Sequence, residues 1–122
     1  MSGIFRFRVK MRRMIERWEE YATRIAEAAR KVLGDCRVYV FGSVVEGTWT
    51  GGSDVDILIV SSRAPRRVRE IAELKARIEE EAGLPPIHPF EIHLVNEEEA
   101  RWYFRHMRKY KEILPRGHQP GS

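Results

Sequence analysis

The chain has 122 residues, 43% hydrophobic and 33% charged, with 22 Lys and Arg against 18 Asp and Glu for a formal net charge of +4. That length allows one domain with a modest core, and the single cysteine, Cys36, excludes an intramolecular disulfide framework. No apolar run approaches the roughly 20 residues needed to span a bilayer, and the basic N-terminus lacks a signal-peptide core, so a cytoplasmic protein is expected.

Phe5, Phe7 and Val9 alternate with Arg6, Arg8 and Lys10. This period of two predicts residues 1–10 as a basic N-terminal arm or edge strand, either frayed or offering a surface to a partner or to RNA. From Met11 to Leu33 the positions Ile15, Trp18, Ala22, Ile25, Ala29 and Val32 recur at helical spacing, and Gly34 supplies a stop. Arg37 to Phe41 reads as a short strand, with Cys36 as a small apolar residue at its start. Asp54 to Ser61 reads as a central strand, since Ile57, Leu58, Ile59 and Val60 form a continuous apolar run. Pro65 fits the first turn of a second helix with Val68, Ile71, Ile78 and Ala82 on its buried face, ended by Gly83, Pro85 and Pro86. Phe90 to Val95 gives a third strand.

Asn96 with Glu99 forms a capping-box pattern, which opens a last helix expected to run to about Leu114. Its main stripe is Tyr103, Phe104, Met107, Tyr110 and Leu114, with Trp102 and Ile113 on another side as a candidate partner surface. Residues 115–122 read as a disordered tail. The expected fold is α/β (α+β), a small mixed β-sheet packed by helices, over a domain spanning 11–114.

The residues that suggest chemistry lie between Phe41 and Val60, FGSVVEGTWTGGSDVDILIV. Side chains alternate along a strand, so Asp54 and Asp56 are expected on one face. Two adjacent carboxylates repel each other unless a cation sits between them, and oxygen-only ligation suits Mg²⁺. Gly42-Ser43 falls where a strand hands over to a helical turn, whose free N–H groups attract an anion. A phosphate cradle beside a metal-binding carboxylate pair is the layout of a phosphoryl or nucleotidyl transfer site. Taken singly, each piece is ordinary: Asp-x-Asp at a strand start is often a solvated turn, and Gly-Ser is a common turn pair. Among the histidines, His93 should share the face of Glu91, either to contact a ligand or as a satisfied structural residue. Glu97, Glu98 and Glu99 read as charge complementing a helix dipole.

Gly42-Ser43, Gly47 and Ser53-Asp54-Val55-Asp56, in that order, resemble the signature of the DNA polymerase β-like nucleotidyltransferase superfamily. The chain is similar to its minimal branch, the stand-alone MNT-type domains paired with HEPN-domain proteins as toxin and antitoxin. A third family carboxylate on a later strand is matched by Glu91 within Pro89-Phe90-Glu91-Ile92-His93-Leu94-Val95. The resemblance covers about residues 38–95 and implies the polymerase β palm-like fold. It implies two Mg²⁺ ions held by Asp54, Asp56 and Glu91, a nucleoside triphosphate bound through Gly42, Ser43 and Ser53, and Glu91 as proton acceptor or orienting residue.

The expected reaction is transfer of a nucleoside monophosphate, AMP from ATP, to a hydroxyl of a HEPN-type partner protein, the chain thereby acting as antitoxin. A homodimer and a nucleic-acid partner stay open, and no membrane partner is expected. The alternative is a catalytically weak or inactive module that neutralises or scaffolds a partner by contact. One departure from the pattern bears on this choice. Many minimal members carry a basic residue in the turn after Gly-Ser, whereas this chain has Val44-Val45-Glu46. A carboxylate near a triphosphate is unfavourable unless it points away or cations from another element offset it.

Overall fold

The computed structural model describes residues 2–115. In chain order its elements are α1 (Gly3–Glu16), α2 (Trp18–Leu33), β1 (Arg37–Phe41), α3 (Ser43–Glu46), β2 (Val55–Val60), α4 (Val68–Glu81), β3 (Phe90–Val95), α5 (Glu97–His106) and β4 (Tyr110–Glu112). The strands form one mixed sheet in the order β3-β2-β1-β4. β1 pairs antiparallel with both β2 and β4, while β2 and β3 run parallel, joined through α4. The expected α/β fold of a small mixed sheet packed by helices is the one observed.

The two sheet faces are covered unequally. Val38, Val40, Val55, Ile57, Ile59, Phe90, Ile92 and Leu94 face the main core, which α1, α2 and α4 close with Met11, Met14, Ile15, Ile25, Ala29 and Ile78. Burying an aliphatic side chain of this kind contributes about 1.5–3 kcal/mol. On the opposite face Tyr39, Leu58, Val60 and Val95 pack against α5 and the residue that caps it, through Ala100, Tyr103, Phe104 and Met107. Asp56, Glu91 and His93 alternate into this second face along their strands. They lie toward the end that begins β2 and β3, where the polar functions collect.

Several sequence-based expectations change. Residues 3–10 are helical and belong to α1, so the basic arm or edge strand over residues 1–10 is corrected. The Ser2 side chain accepts a hydrogen bond from the Phe5 N–H at 3.3 Å, capping the helix. Met11, Met14 and Ile15 then anchor it at helical spacing. A three-fold alternation is too short a signal to outweigh a cap joined to a packed downstream turn. The helix expected over 11–33 breaks at Arg17, whose N–H is shared between the carbonyls of Arg13 and Met14.

α4 begins three residues beyond Pro65, so Val68 falls in an exposed first turn, 82% accessible, and not on the buried face. Its end is capped from α2, where the Arg24 guanidinium donates to the Ala82 carbonyl at 2.8 Å.

α5 stops at His106, short of the expected Leu114. Tyr110–Glu112 instead returns to the sheet as β4 and packs Tyr110 on Tyr39 and Phe104. Ile113 is buried in the main core, its N–H bonded to the Val38 carbonyl and its own carbonyl to Arg30. Trp102 and Ile113 therefore do not share a patch. The expected disordered tail lies, apart from Pro115, outside the described residues. Among the described residues no helix is long and apolar enough to cross a membrane.

The capping box at α5 is present in both directions: Asn96 Oδ1 accepts from the Glu99 N–H at 2.8 Å, and Glu99 Oε1 from the Asn96 N–H at 3.2 Å. Asn96→Ala is expected to lower stability by about 1 kcal/mol in urea unfolding, with an unchanged m-value because the same surface is exposed. Burial is the main reason the phenols of Tyr39 and Tyr103 titrate above their usual value, with nearby carboxylates adding to it. The unfolded chain therefore loses these protons first. Stability from this source is complete below about pH 10 and is lost as pH rises through the raised folded values. A Tm-against-pH curve should fall above pH 10, and the double variant Tyr39→Phe with Tyr103→Phe should flatten that limb.

Candidate active site

The parallel register of β2 and β3 sets Asp56 directly beside Glu91 and Leu58 beside His93. Period-2 alternation then brings His93 onto the face of both acids. One donor atom from each of Asp56, Glu91 and His93 lies within 4.8 Å of the others. His93 Nε2 is 3.3 Å from Asp56 Oδ1, both side chains being about one-quarter accessible. Asp54, one residue ahead of β2, is exposed and stands outside that trio. It shares with Glu91 a shallow cleft of about 260 Å³ that also takes in Lys75, Glu79 and His88.

On the other side of β2, Phe41 is the register partner of Asp56, so the chain leaves β1 at the same level. Gly42 follows with φ 89° and ψ −157°, a region open essentially to glycine alone. A Cβ there would stand 2.7 Å from Asp56 Oδ2. Glycine is thus required twice, by the turn and by the closeness of the carboxylate. α3 is a single turn from Ser43, with the Val45 and Glu46 N–H groups bonded to the Gly42 carbonyl. The first N–H groups of such a turn have no partners within the helix. Ser53 is engaged in closing the preceding loop: its Oγ accepts from the Thr50 N–H at 2.9 Å, and its own N–H bonds the Thr50 carbonyl.

Glu46 lines a cleft of about 390 Å³ with Phe41, Gly42, Trp102, Tyr103, His106 and Arg108. A carboxylate and a guanidinium therefore border the same space beside the Gly42-Ser43 turn. Arg108, two residues past the end of α5, is a basic residue at this cleft where the turn itself has none. Trp102 is 53% accessible and its ring stacks on His106 at 4.3 Å.

Tyr103 was not singled out for chemistry in the sequence, where it reads only as part of an apolar stripe. Its hydroxyl lies 3.4 Å from His93 Nδ1, and its ring, with that of Phe41, walls the imidazole. Burial first, then Glu99, Glu91 and Asp56, raises the pKa of this phenol, so it keeps its proton at neutral pH. His88 has a different task. Its Nδ1 accepts from the Phe90 N–H at 3.1 Å and its Nε2 faces Glu79 at 3.5 Å, which fixes the entry into β3. Lys75 and Arg108 reach their clefts from α4 and from beyond α5, and no local motif marks either residue.

Carboxylate and imidazole donors within 4.8 Å of one another, on one face and not fully buried, are of a type and spacing that could hold a single divalent ion. Gly42 leaves the second oxygen of Asp56 unobstructed by a side chain. The donor set therefore fits a metal.

A nucleotidyltransferase-domain family model matches residues 22–114. No curated relative matches the chain. One crystal structure, of a protein provisionally assigned as a nucleotidyltransferase, is 34% identical over 74% of this chain and 94% of its own, with a TM-score of 0.60. A second, from Sulfolobus solfataricus and also provisionally assigned as a nucleotidyltransferase, is 18% identical over 95% of this chain and 90% of its own, again with a TM-score of 0.60. The second likeness speaks to the fold, and the first extends to sequence. With three-quarters of its length matched by the family model, the chain belongs to the nucleotidyltransferase domain family.

Proposed function

We propose that the chain transfers a nucleoside monophosphate, AMP from ATP, to a hydroxyl of a partner protein. The observation that carries this reading is the register of β2 on β3, which sets Asp56 beside Glu91 one residue from the Gly42-Ser43 turn in the neighbouring strand pair. Asp56 and Glu91, with Asp54 at the cleft edge, are the candidate metal ligands. A divalent ion held there would offset negative charge on the phosphates and lower the pKa of an acceptor hydroxyl.

The chain's own residues supply the rest. The N–H groups opening α3 and the Ser43 hydroxyl receive a terminal phosphate, and Arg108 offsets the charge of Glu46 across the adjoining cleft. Ser53 shapes the loop and contributes through its position, since its hydroxyl closes the turn. The acceptor oxygen forms a bond to the α-phosphorus as the bond from that phosphorus to the bridging oxygen breaks and pyrophosphate leaves. Glu91, exposed at the cleft, takes the acceptor proton.

The likeness to MNT-type domains supports a HEPN-type partner as acceptor and an antitoxin role. A tyrosine acceptor suits the chemistry, because a phenol ionises more readily than an aliphatic hydroxyl.

A second reading, a module acting by contact alone, draws on one feature. A groove of about 830 Å³ runs along α1, lined by Phe5, Arg6, Val9, Lys10 and Arg13 and by Tyr21 of α2. Phe5 is exposed there, 52% accessible. Such a basic and apolar strip suits an acidic partner segment. It is compatible with transfer as well, because a partner docked there is a substrate if the acids act on it.

The deciding assay uses α-labelled ATP, Mg²⁺ or Mn²⁺ and the product of the neighbouring gene as the candidate acceptor. Label should appear on the partner and be lost with either Asp54→Asn or Asp56→Asn, both variants keeping their circular-dichroism spectra. Label retained in both would sink the assignment of the acids, and a stable complex without label under any nucleotide would leave the contact module. Gly42→Ala is a separate check. It should cost about 1–3 kcal/mol from backbone strain and should also reduce transfer well beyond the loss of folded protein, because the methyl group displaces Asp56.

A further inference from the structure

The trio that the strands bring together is not all oxygen. Its third donor is the imidazole of His93, whose Nε2 faces Asp56 at 3.3 Å while Nδ1 meets the Tyr103 hydroxyl at 3.4 Å. A metal-ligating histidine has this arrangement: one nitrogen toward the ion, the other held by a hydrogen-bonding group that fixes the tautomer and ring orientation. The ring is also confined from the sides, with the Phe41 and Tyr103 centroids at 5.5 and 5.6 Å.

We infer that His93 is a direct metal ligand, completing with Asp56 and Glu91 a mixed nitrogen and oxygen site that favours Mn²⁺ or Co²⁺ over Mg²⁺. Imidazole binds the later first-row ions far better than it binds Mg²⁺, whose preferred partners are carboxylates, waters and phosphates. Binding an ion through Nε2 places the imidazole proton on Nδ1, where the Tyr103 oxygen at 3.4 Å can accept it. Tyr103 acts through His93 and is a positioning residue. This inference rests on Asp56 and Glu91 being metal ligands, but not on the identity of the nucleotide or the acceptor.

The test loads the whole chain with Mn²⁺ alone, without nucleotide, and reads electron spin-echo envelope modulation for a directly bound ¹⁴N. The expected result is nitrogen coupling in the unaltered protein that disappears in His93→Gln. Mn²⁺ affinity should fall about tenfold or more in that variant, while Mg²⁺ affinity changes by less than about threefold. Tyr103→Phe should keep the nitrogen coupling and weaken Mn²⁺ binding by a smaller factor. Bound Mn²⁺ without nitrogen coupling would overturn the inference. So would coupling that persists in folded His93→Gln, or an unchanged Mn²⁺ affinity in that variant. Should His93→Gln fail to fold, His93→Asn is read in its place against the same outcomes. Nitrogen-coupled Mn²⁺ with no transfer in the label assay would count against the transferase reading alone, and transfer with nitrogen-free Mn²⁺ against His93 alone.

Discussion

The site depends on one pairing, the parallel ladder between β2 and β3. Because side chains alternate along each strand, a shift of one residue in that ladder would send Glu91 and His93 to the opposite face, into the apolar core. The core is what forbids the shift. Val55, Ile57 and Ile59 of β2 and Phe90, Ile92 and Leu94 of β3 are all buried among the helices of the main face. Moving any of them to the partly open face would give up apolar burial and put carboxylates in its place, at several kcal/mol per charge. The placement of the polar residues is thus enforced by apolar neighbours that never touch a ligand.

The unequal covering of the sheet gives that pairing its use. Three helices close one face, so the other can be left with a single ten-residue helix and still hold together. α5 covers that face through Ala100, Tyr103 and Phe104, and its last turn borders the open cleft beside Gly42. Partial accessibility follows: the acids keep contact with solvent while the imidazole of His93 is held between aromatic rings. The element that closes the small core also carries Tyr103 against His93 and leads into Arg108 at the neighbouring cleft.

Much of this was legible from local pattern. The strands over Arg37–Phe41 and Phe90–Val95, the Asn96 cap and the Gly42 turn each have a short-range physical cause that the residues display. What was hidden depended on distance along the chain. Phe5, Phe7 and Val9 imitate a strand over a window too short to feel the packing of Met11, Met14 and Ile15. Tyr110 and Ile113 fit a helical stripe until Tyr39 and Val38, far upstream, recruit them to the sheet edge. At the site, alternation placed His93 on the face of Glu91. Its nearness to Asp56 required the inter-strand register, and the role of Tyr103 required the angle at which α5 crosses the sheet. Arg108 carried no signal at all, since a basic residue in a basic chain is not distinctive.

The position of β4 bears on how the molecule assembles. Tyr110 pairs with Phe41 across about seventy residues of chain, whereas β1 to β2 and β2 to β3 span much shorter separations, and long loops cost more entropy to close before their contacts return any of it. The three strands that bear the acids, the imidazole and the glycine turn therefore have every reason to come together first, with the C-terminal strand docking onto a sheet already formed. Such a late strand acts as a latch on the edge beside Gly42. Opening it would also have to draw Ile113 out of the main core and break its bonds to Val38 and Arg30, so the latch is held by more than its three strand residues.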